Sequence, residues 1–321
     1  MSEILKIENL TKHFVKKGFF GSKQSIVRAV DGVSFSLLEG EVFVLAGESG
    51  SGKSTIARLV MKAIEANSGK IIFEGMEIGN DPKSLETIRM SCQMVHQDPY
   101  DSINPRMRVF DIILEPLEIH KIGNKEERHK RIIDSLREVR LEPAEEIAKK
   151  YPHELSGGQR QRIVLARALV LKPKIIIADE PVSMLDVSVR AEVLELMLHL
   201  QKKFNITFIY ITHDLATARH FGQRIAILYL GKIVEIGRID QVLLHPKHPY
   251  TQALIDALSE PNPDNLFQEK KIRIKEPLDI DVYKGCRFRA RCPYAIEECK
   301  DEPPLKNIGD NRNVACFVKL D

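Results

Sequence analysis

With 321 residues, 43% hydrophobic and 29% charged, the chain has room for one large α/β domain and a small extension, and the composition of a soluble globular protein. A net charge of +3, with Lys and Arg interleaved among Asp and Glu, leaves no basic footprint for nucleic acid. The N-terminus lacks a signal-type apolar stretch and every apolar run falls far short of the ~20 residues a membrane span needs, so the expectation is a cytosolic chain, membrane-bound only through partners.

In chain order, Ile4 to Ile7 reads as a strand, and Val33, Phe35 and Leu37 alternate with Ser34 and Ser36 at period two. The stretch between, Phe14 to Ala29, reads as a polar loop carrying Phe14, Phe19 and Phe20. Val42 to Ala46 is an apolar run of buried-strand type. It feeds Gly47-Glu48-Ser49-Gly50-Ser51-Gly52-Lys53-Ser54-Thr55, after which Ile56, Leu59, Val60, Ala63 and Ile64 recur at the helical period. Strand, glycine-rich turn and helix are the context that gives the pattern G-x-x-x-x-G-K-S/T its meaning as a phosphate cradle. Gly47, Gly50 and Gly52 let backbone N–H groups approach phosphate oxygens, and the helix adds the positive end of its dipole. Lys53 can reach the β- and γ-phosphates, and the Ser54 hydroxyl can ligate Mg²⁺.

Gly69 to Gly75 reads as a strand entering a turn, residues 98–120 as loop-rich, and Glu126 to Val139 as a helix inward on Ile132, Ile133, Leu136 and Val139. Leu155-Ser156-Gly157-Gly158-Gln159 opens another helix, with Ser156 as N-cap and two glycines leaving N–H groups uncovered. One nucleotide hardly needs two such cradles from one chain. Two chains packed head to tail could each offer this helix start to the other's P-loop.

Ile175 to Ala178 is an apolar strand ending in Asp179 and Glu180. Asp179 suits the Mg²⁺ shell, and Glu180 is a general-base candidate for water. A helix on Val189, Val193, Leu196, Met197 and Leu200 and a strand from Ile206 to Ile211 follow, before His213. Such alternation predicts crossovers and a parallel sheet, closed by a small hairpin at Ile233 to Ile236. The composition changes near Pro261-Asn262-Pro263-Asp264, where a boundary is expected. Four of five cysteines lie beyond it, Cys286, Cys292, Cys299 and Cys316, a set that could hold zinc or an iron–sulfur cluster. Cys92 is isolated and expected to be buried.

The order of P-loop, Gln97, Leu-Ser-Gly-Gly-Gln, Asp-Glu and His213 resembles the ATP-binding subunits of ABC transporters across roughly residues 3–260. The resemblance implies an α/β fold: a P-loop NTPase core of the ABC ATPase type with an antiparallel β subdomain, a helical subdomain inserted at about 97–171, and a Cys-rich extension at 261–321. It implies a Mg²⁺-dependent ATPase with catalytic Lys53, Gln97, Glu180 and His213. By the same resemblance Ser54, Gln97 and Asp179 hold Mg²⁺, Phe14 stacks on adenine, Ser156 to Gln159 complete the opposite subunit's site, and Asp186 crosses the dimer interface. Met184 stands where that family has a small residue.

Gln97 to Met107, Tyr151-Pro152-His153-Glu154 and His245 to Thr251 look like the dipeptide and oligopeptide importer branch. That branch implies two permease subunits, a second ATPase subunit, an extracytoplasmic solute-binding protein and a place at the cytoplasmic face of the membrane. It also favours a 4Fe-4S cluster over zinc on the four cysteines. The alternative is a soluble ABC-type ATPase without a permease, such as an iron–sulfur assembly ATPase. A DNA-repair or chromosome ATPase is disfavoured by the lack of sustained heptads, and a dead cassette by the complete motif set.

Overall fold

The computed structural model of the chain describes residues 2–16, 25–257 and 283–319. Its main sheet is built on β3 (Val42–Ala46), β6 (Cys92–Val95), β7 (Ile175–Asp179), β8 (Thr207–Thr212) and β9 (Arg224–Tyr229), all parallel. The strand order is β11-β12-β10-β9-β3-β8-β7-β6, with β10 (Lys232–Arg238), β11 (Lys306–Asn307) and β12 (Asn313–Val314) pairing antiparallel at one edge. The central strands are nearly continuous apolar runs because both faces are covered. Alternate residues feed two cores: Val42, Val44 and Ala46 face one, Phe43 and Leu45 the other.

A second sheet, β2-β1-β4-β5, is antiparallel and comprises β1 (Glu3–Lys16), β2 (Ser25–Leu38), β4 (Ser68–Phe73) and β5 (Met76–Glu77). The expected loop from Phe14 to Ala29 is instead strand at its described ends, residues 14–16 in β1 and 25–29 in β2, with Phe14 opposite Val27 and Val15 opposite Ile26. These positions are exposed, so no apolar alternation marks them. Phe19 and Phe20 lie outside the described residues.

The helix after the P-loop, α1 (Lys53–Val60), stops short of Ala63 and Ile64, with Lys62 in the left-handed region at φ 52°. It is followed by α2 (Pro82–Ser91), then by a helical lobe of α3 (Pro99–Ser102), α4 (Val109–Ile119), α5 (Lys125–Glu138), α6 (Ala144–Ile147) and α7 (Gly157–Leu169). Residues 98–120, expected to be loop-rich, are thus mostly helix. Pro99 opens α3, Pro105 lies in the turn between α3 and α4, and Pro116 is buried inside α4. The last helices are α8 (Val187–Phe204), α9 (Leu215–Phe221), α10 (Ile239–Leu244) and α11 (Pro249–Asp256). In α8 Val193, Leu196, Met197 and Leu200 are buried at the spacing of one helical face. Cys92 is fully buried. No helix among the described residues is long and apolar enough to cross a membrane.

The expected boundary near residue 261 lies outside the described residues. Residues 283–319 form no free-standing tail: β12 adds to the main sheet beside β10, and Phe288 is buried in the first core.

Candidate nucleotide-binding site

Parallel pairing decides which loops meet. Ala46 at the end of β3 is level with Thr212 of β8, and Asp179 of β7 is level with Ile211 of β8. The P-loop, Asp179-Glu180 and His213 therefore leave the same carboxyl edge of three adjacent strands, the edge where open α/β sheets bind ligands. Gln97, two residues beyond β6, leaves that edge as well and is exposed.

The P-loop is walled in tightly. A Cβ on Gly52 would lie 2.1 Å from the Ala29 carbonyl oxygen, and one on Gly47 would lie 2.2 Å from that of Leu228, so close approach as well as positive φ demands glycine there. The buried Lys53 Nζ donates to the carbonyls of Gly47 at 2.8 Å and Glu48 at 2.9 Å, curling over the loop it would share with phosphate. Burial pushes its pKa down, against the pull of Glu180, Asp179 and Glu48.

Asp179 is shifted the other way. Burial raises its carboxyl above the usual range and the Glu180 charge adds to this, while a hydrogen bond from Ser54 and the charge of Lys53 oppose it. Ser54 and Asp179 thus stand together, as two oxygen ligands of one Mg²⁺ must. Glu180 has φ 48°, a left-handed conformation that costs a non-glycine residue on the order of 1 kcal/mol and is held by its N–H bond to Ile211 O at 2.9 Å. The turn aims the side chain across to the next strand end, where Oε1 lies 3.0 Å from His213 Nδ1.

Ser156 caps α7 reciprocally: its Oγ accepts from Gln159 N–H at 3.3 Å, while Gln159 Oε1 accepts from Ser156 N–H at 3.0 Å. Gly158 is buried against the start of α8, where a Cβ would come within 2.4 Å of Val189 Cγ1. Asp186, the α8 N-cap, accepts from Val189 N–H at 3.1 Å and is held below its ordinary pKa chiefly by that bond. Ser156 and Asp186 therefore share one exposed surface. No hydrogen bond among the described residues joins Ser156 to Gln159 with the chain's own P-loop. Met184 is 61% exposed beside them. Phe14 is 41% exposed, its ring 5.3 Å from Lys12 Nζ.

Several neighbours of the P-loop were not legible as such. Glu48 N–H donates to the Tyr250 hydroxyl at 2.9 Å, and Arg291 Nη1 donates to both Glu48 carboxylate oxygens at 3.2 and 3.3 Å. The segment containing Tyr250 carried a signal, the run His245 to Thr251, but nothing in it points to the P-loop.

Cys286, Cys292, Cys299 and Cys316 are drawn into one lobe, with Cys286 N–H donating to Cys299 O at 3.0 Å. The expected cluster is nevertheless not formed as a coordination set. Among the described residues no group of three or more His, Cys, Asp or Glu is placed to hold a metal ion. Burial pushes the Cys286 and Cys316 thiols up to about 11, with the neighbouring thiols adding to the shift.

Comparison with known proteins accords with this geometry. The family described as "ABC transporter" matches residues 30–183, and that described as "Oligopeptide/dipeptide transporter, C-terminal region" matches residues 234–299. The chain is 46% identical over 319 residues to the "Probable peptide ABC transporter ATP-binding protein y4tS" of Sinorhizobium fredii, covering 98% of this chain and 90% of that one. It is 42% identical over 321 residues to the oligopeptide transport ATP-binding protein AppF of Bacillus subtilis, covering 98% and 97%. Among solved structures, a dimeric ATP-binding cassette in a post-hydrolysis state bound to ADP and Pi superimposes with a TM-score of 0.63 at 30% identity, covering 74% of this chain and 99% of that one.

Proposed function

The chain belongs to the ATP-binding subunits of peptide ABC transporters, and from that premise we propose that it hydrolyses MgATP to drive peptide import through a membrane permease. The observation that carries the catalytic part is the 3.0 Å approach of Glu180 to His213 at the strand edge that also bears the P-loop.

In this reading the P-loop N–H groups and Lys53 hold the β- and γ-phosphates. Ser54, Asp179 and Gln97 would hold Mg²⁺, which when bound neutralises charge on the β- and γ-oxygens. Glu180 accepts a proton as water attacks the γ-phosphorus and the bond to the bridging oxygen breaks, leaving ADP and phosphate. His213 orients Glu180 and faces the charge that develops on the γ-phosphoryl oxygens. Phe14, exposed on the β1–β2 hairpin, is assigned to the adenine face.

Closure takes a second ATPase subunit, this chain or a paralogue, whose Ser156 to Gln159 would cap the nucleotide with Asp186 at the interface. Both helix starts are exposed on one surface and unbonded to their own P-loop, which supports that assignment. Two permease subunits would hold the pair at the cytoplasmic face of the membrane, receiving solute from an extracytoplasmic binding protein. Residues 1–260 would act as the nucleotide-binding domain, with about 97–171 as its helical part and 261–321 as extension. The relatives described above carry transport names, which leaves the permease-free assembly ATPase without support.

Glu180→Gln keeps the shape and hydrogen-bonding reach of the side chain while removing its basicity. ATP binding is expected to persist and turnover to fall by about 10²-fold or more, with closed dimers accumulating. A mutant that keeps over about half the wild-type rate removes Glu180 from the base role.

The 4Fe-4S assignment on Cys286, Cys292, Cys299 and Cys316 rests on the family resemblance and on their shared lobe, where Cys286 N–H bonds Cys299 O; the ligands would have to draw closer than they stand. No step above runs through it. Protein purified without oxygen should show a broad visible absorption of iron–sulfur type that Cys292→Ser abolishes; a colourless wild-type chain containing neither iron nor sulfide ends the assignment.

A further inference from the structure

The short loop from Cys286 to Cys292 touches the nucleotide cradle on two sides, which no motif assigns. On one side Arg291 bonds both oxygens of Glu48, the second residue of the P-loop, and its Nη1 also donates to the Tyr229 hydroxyl at 3.3 Å. Its guanidinium lies 5.9 Å from the Tyr229 ring and 5.8 Å from the Phe288 ring. Those two rings lie 5.3 Å apart and pack against Tyr250 at centroid distances of 4.5 Å (Tyr229) and 5.5 Å (Phe288), and Tyr250 in turn accepts the Glu48 N–H. On the other side the buried Arg287 bonds the Leu230 carbonyl and the Asp31 carboxylate. Next to Leu230, Gly231 N–H donates to Ser51 O in the P-loop at 2.8 Å, and Asp31 N–H donates to Gly231 O at 2.9 Å.

Glu48 poses an electrostatic problem. It puts a carboxylate on a loop whose ligand is a polyanionic triphosphate, and like charges at such range oppose binding. Arg291 answers it with a guanidinium already held by a hydroxyl acceptor and two ring faces, so little side-chain freedom is lost when its Nη1 meets the carboxylate. The Arg291 side chain is 27% and that of Glu48 45% exposed, so water screens the pair and its effect is modest.

We propose that the C-terminal lobe braces the P-loop, with Arg291 a positioning residue that neutralises Glu48 and so raises the affinity of the cradle for a nucleoside triphosphate. The inference rests on the ATPase reading given above. It makes the lobe part of the nucleotide site's energetics and not only a staple for the end of the chain.

The test is calorimetric titration of the full-length chain with MgATP, alongside steady-state ATPase kinetics and thermal unfolding without nucleotide. Arg291→Ala should weaken MgATP binding and raise KM about two- to fivefold at low salt, with kcat little changed. Arg291→Lys, which keeps the charge but not the planar guanidinium beside the rings, should fall between. In a Glu48→Gln background, Arg291→Ala should cost almost nothing, because the charge it offsets is gone. Equal affinity in Arg291→Ala and wild type overturns the brace. So does the same fold-loss in both backgrounds, or a fall in melting temperature and kcat with KM unmoved, each of which returns a purely structural role. A wild-type chain that takes up no MgATP at all overturns the ATPase reading itself, and the brace with it.

Discussion

Gly158 shows how one position can answer to two demands at once. In sequence it stands as a residue that uncovers backbone N–H groups at a helix start, and that demand is independent of the fold. The structure adds a packing demand, since a Cβ would lie 2.4 Å from Val189 Cγ1. Alanine in a helix gains about 1 kcal/mol over glycine, whereas forcing a methyl into occupied space costs about 1–3 kcal/mol. The clash should win: Gly158→Ala is expected to destabilise the fold, measured by urea unfolding. Val189→Ala removes the opposing methyl, so in that background Gly158→Ala should be neutral or stabilising; a cost that is the same with or without Val189 refutes the contact. The same contrast marks the rest of the site. Lys53, Asp179 and Glu180 could be picked out because their chemistry sits at a fixed place relative to strand ends, and His213 only through the family resemblance. The partnership of Arg291 with Glu48 could not, because 243 residues of chain separate them and an arginine in a polar segment carries no address.

Elements were legible where one periodicity ran undisturbed. The strands Val42–Ala46 and Ile175–Asp179 and the inward face of α8 follow their patterns closely. α4 was hidden although Val109, Ile112, Ile113, Pro116 and Leu117 bury one helical face, because it follows the turn residues Asn104-Pro105 and contains a proline whose missing N–H only tertiary packing can offset. The long β1–β2 hairpin was hidden for the opposite reason: its far end has exposed apolar residues and pairs without a core, so nothing alternates. At α7 the sequence and the structure coincide on the cap itself. Removing it by Ser156→Ala should cost about 1 kcal/mol of stability, seen as faster amide exchange in the first turn of α7. If Ser156 also serves a neighbouring subunit's nucleotide, ATP turnover should fall far more than that stability loss accounts for. Turnover that stays near the wild-type level would leave Ser156 a cap and nothing more.

At the scale of the whole molecule, the C-terminal lobe is welded to the core by buried charge. Glu235 of β10 has no exposed surface and accepts from Lys247 N–H at 3.1 Å, His248 N–H at 3.0 Å and Arg312 Nε at 3.1 Å. In the same lobe Arg287 and Arg312 are buried as ion-pair partners and not displayed to water. The same junction contains His248, 1% exposed, whose Nδ1 accepts the Tyr250 N–H at 3.0 Å. Burial holds its pKa down to about 3, against 6.5 for an ordinary histidine. A depressed folded-state value means the unfolded chain takes up a proton that the folded chain refuses, so the stabilising contribution is complete above about pH 6.5 and is lost as pH falls toward about 3. Between pH 7 and pH 5 this single group should remove about 2 kcal/mol of stability, a figure that depends on the unfolded value alone as long as the folded one stays well below 5. Asp179, raised by burial, acts in the opposite sense. His248→Asn keeps an acceptor for the Tyr250 N–H yet cannot titrate. The smaller side chain should lower stability at pH 7, while the slope of unfolding free energy against pH between 7 and 5 flattens; a slope as steep as wild type would place the acid sensitivity of this junction in another group.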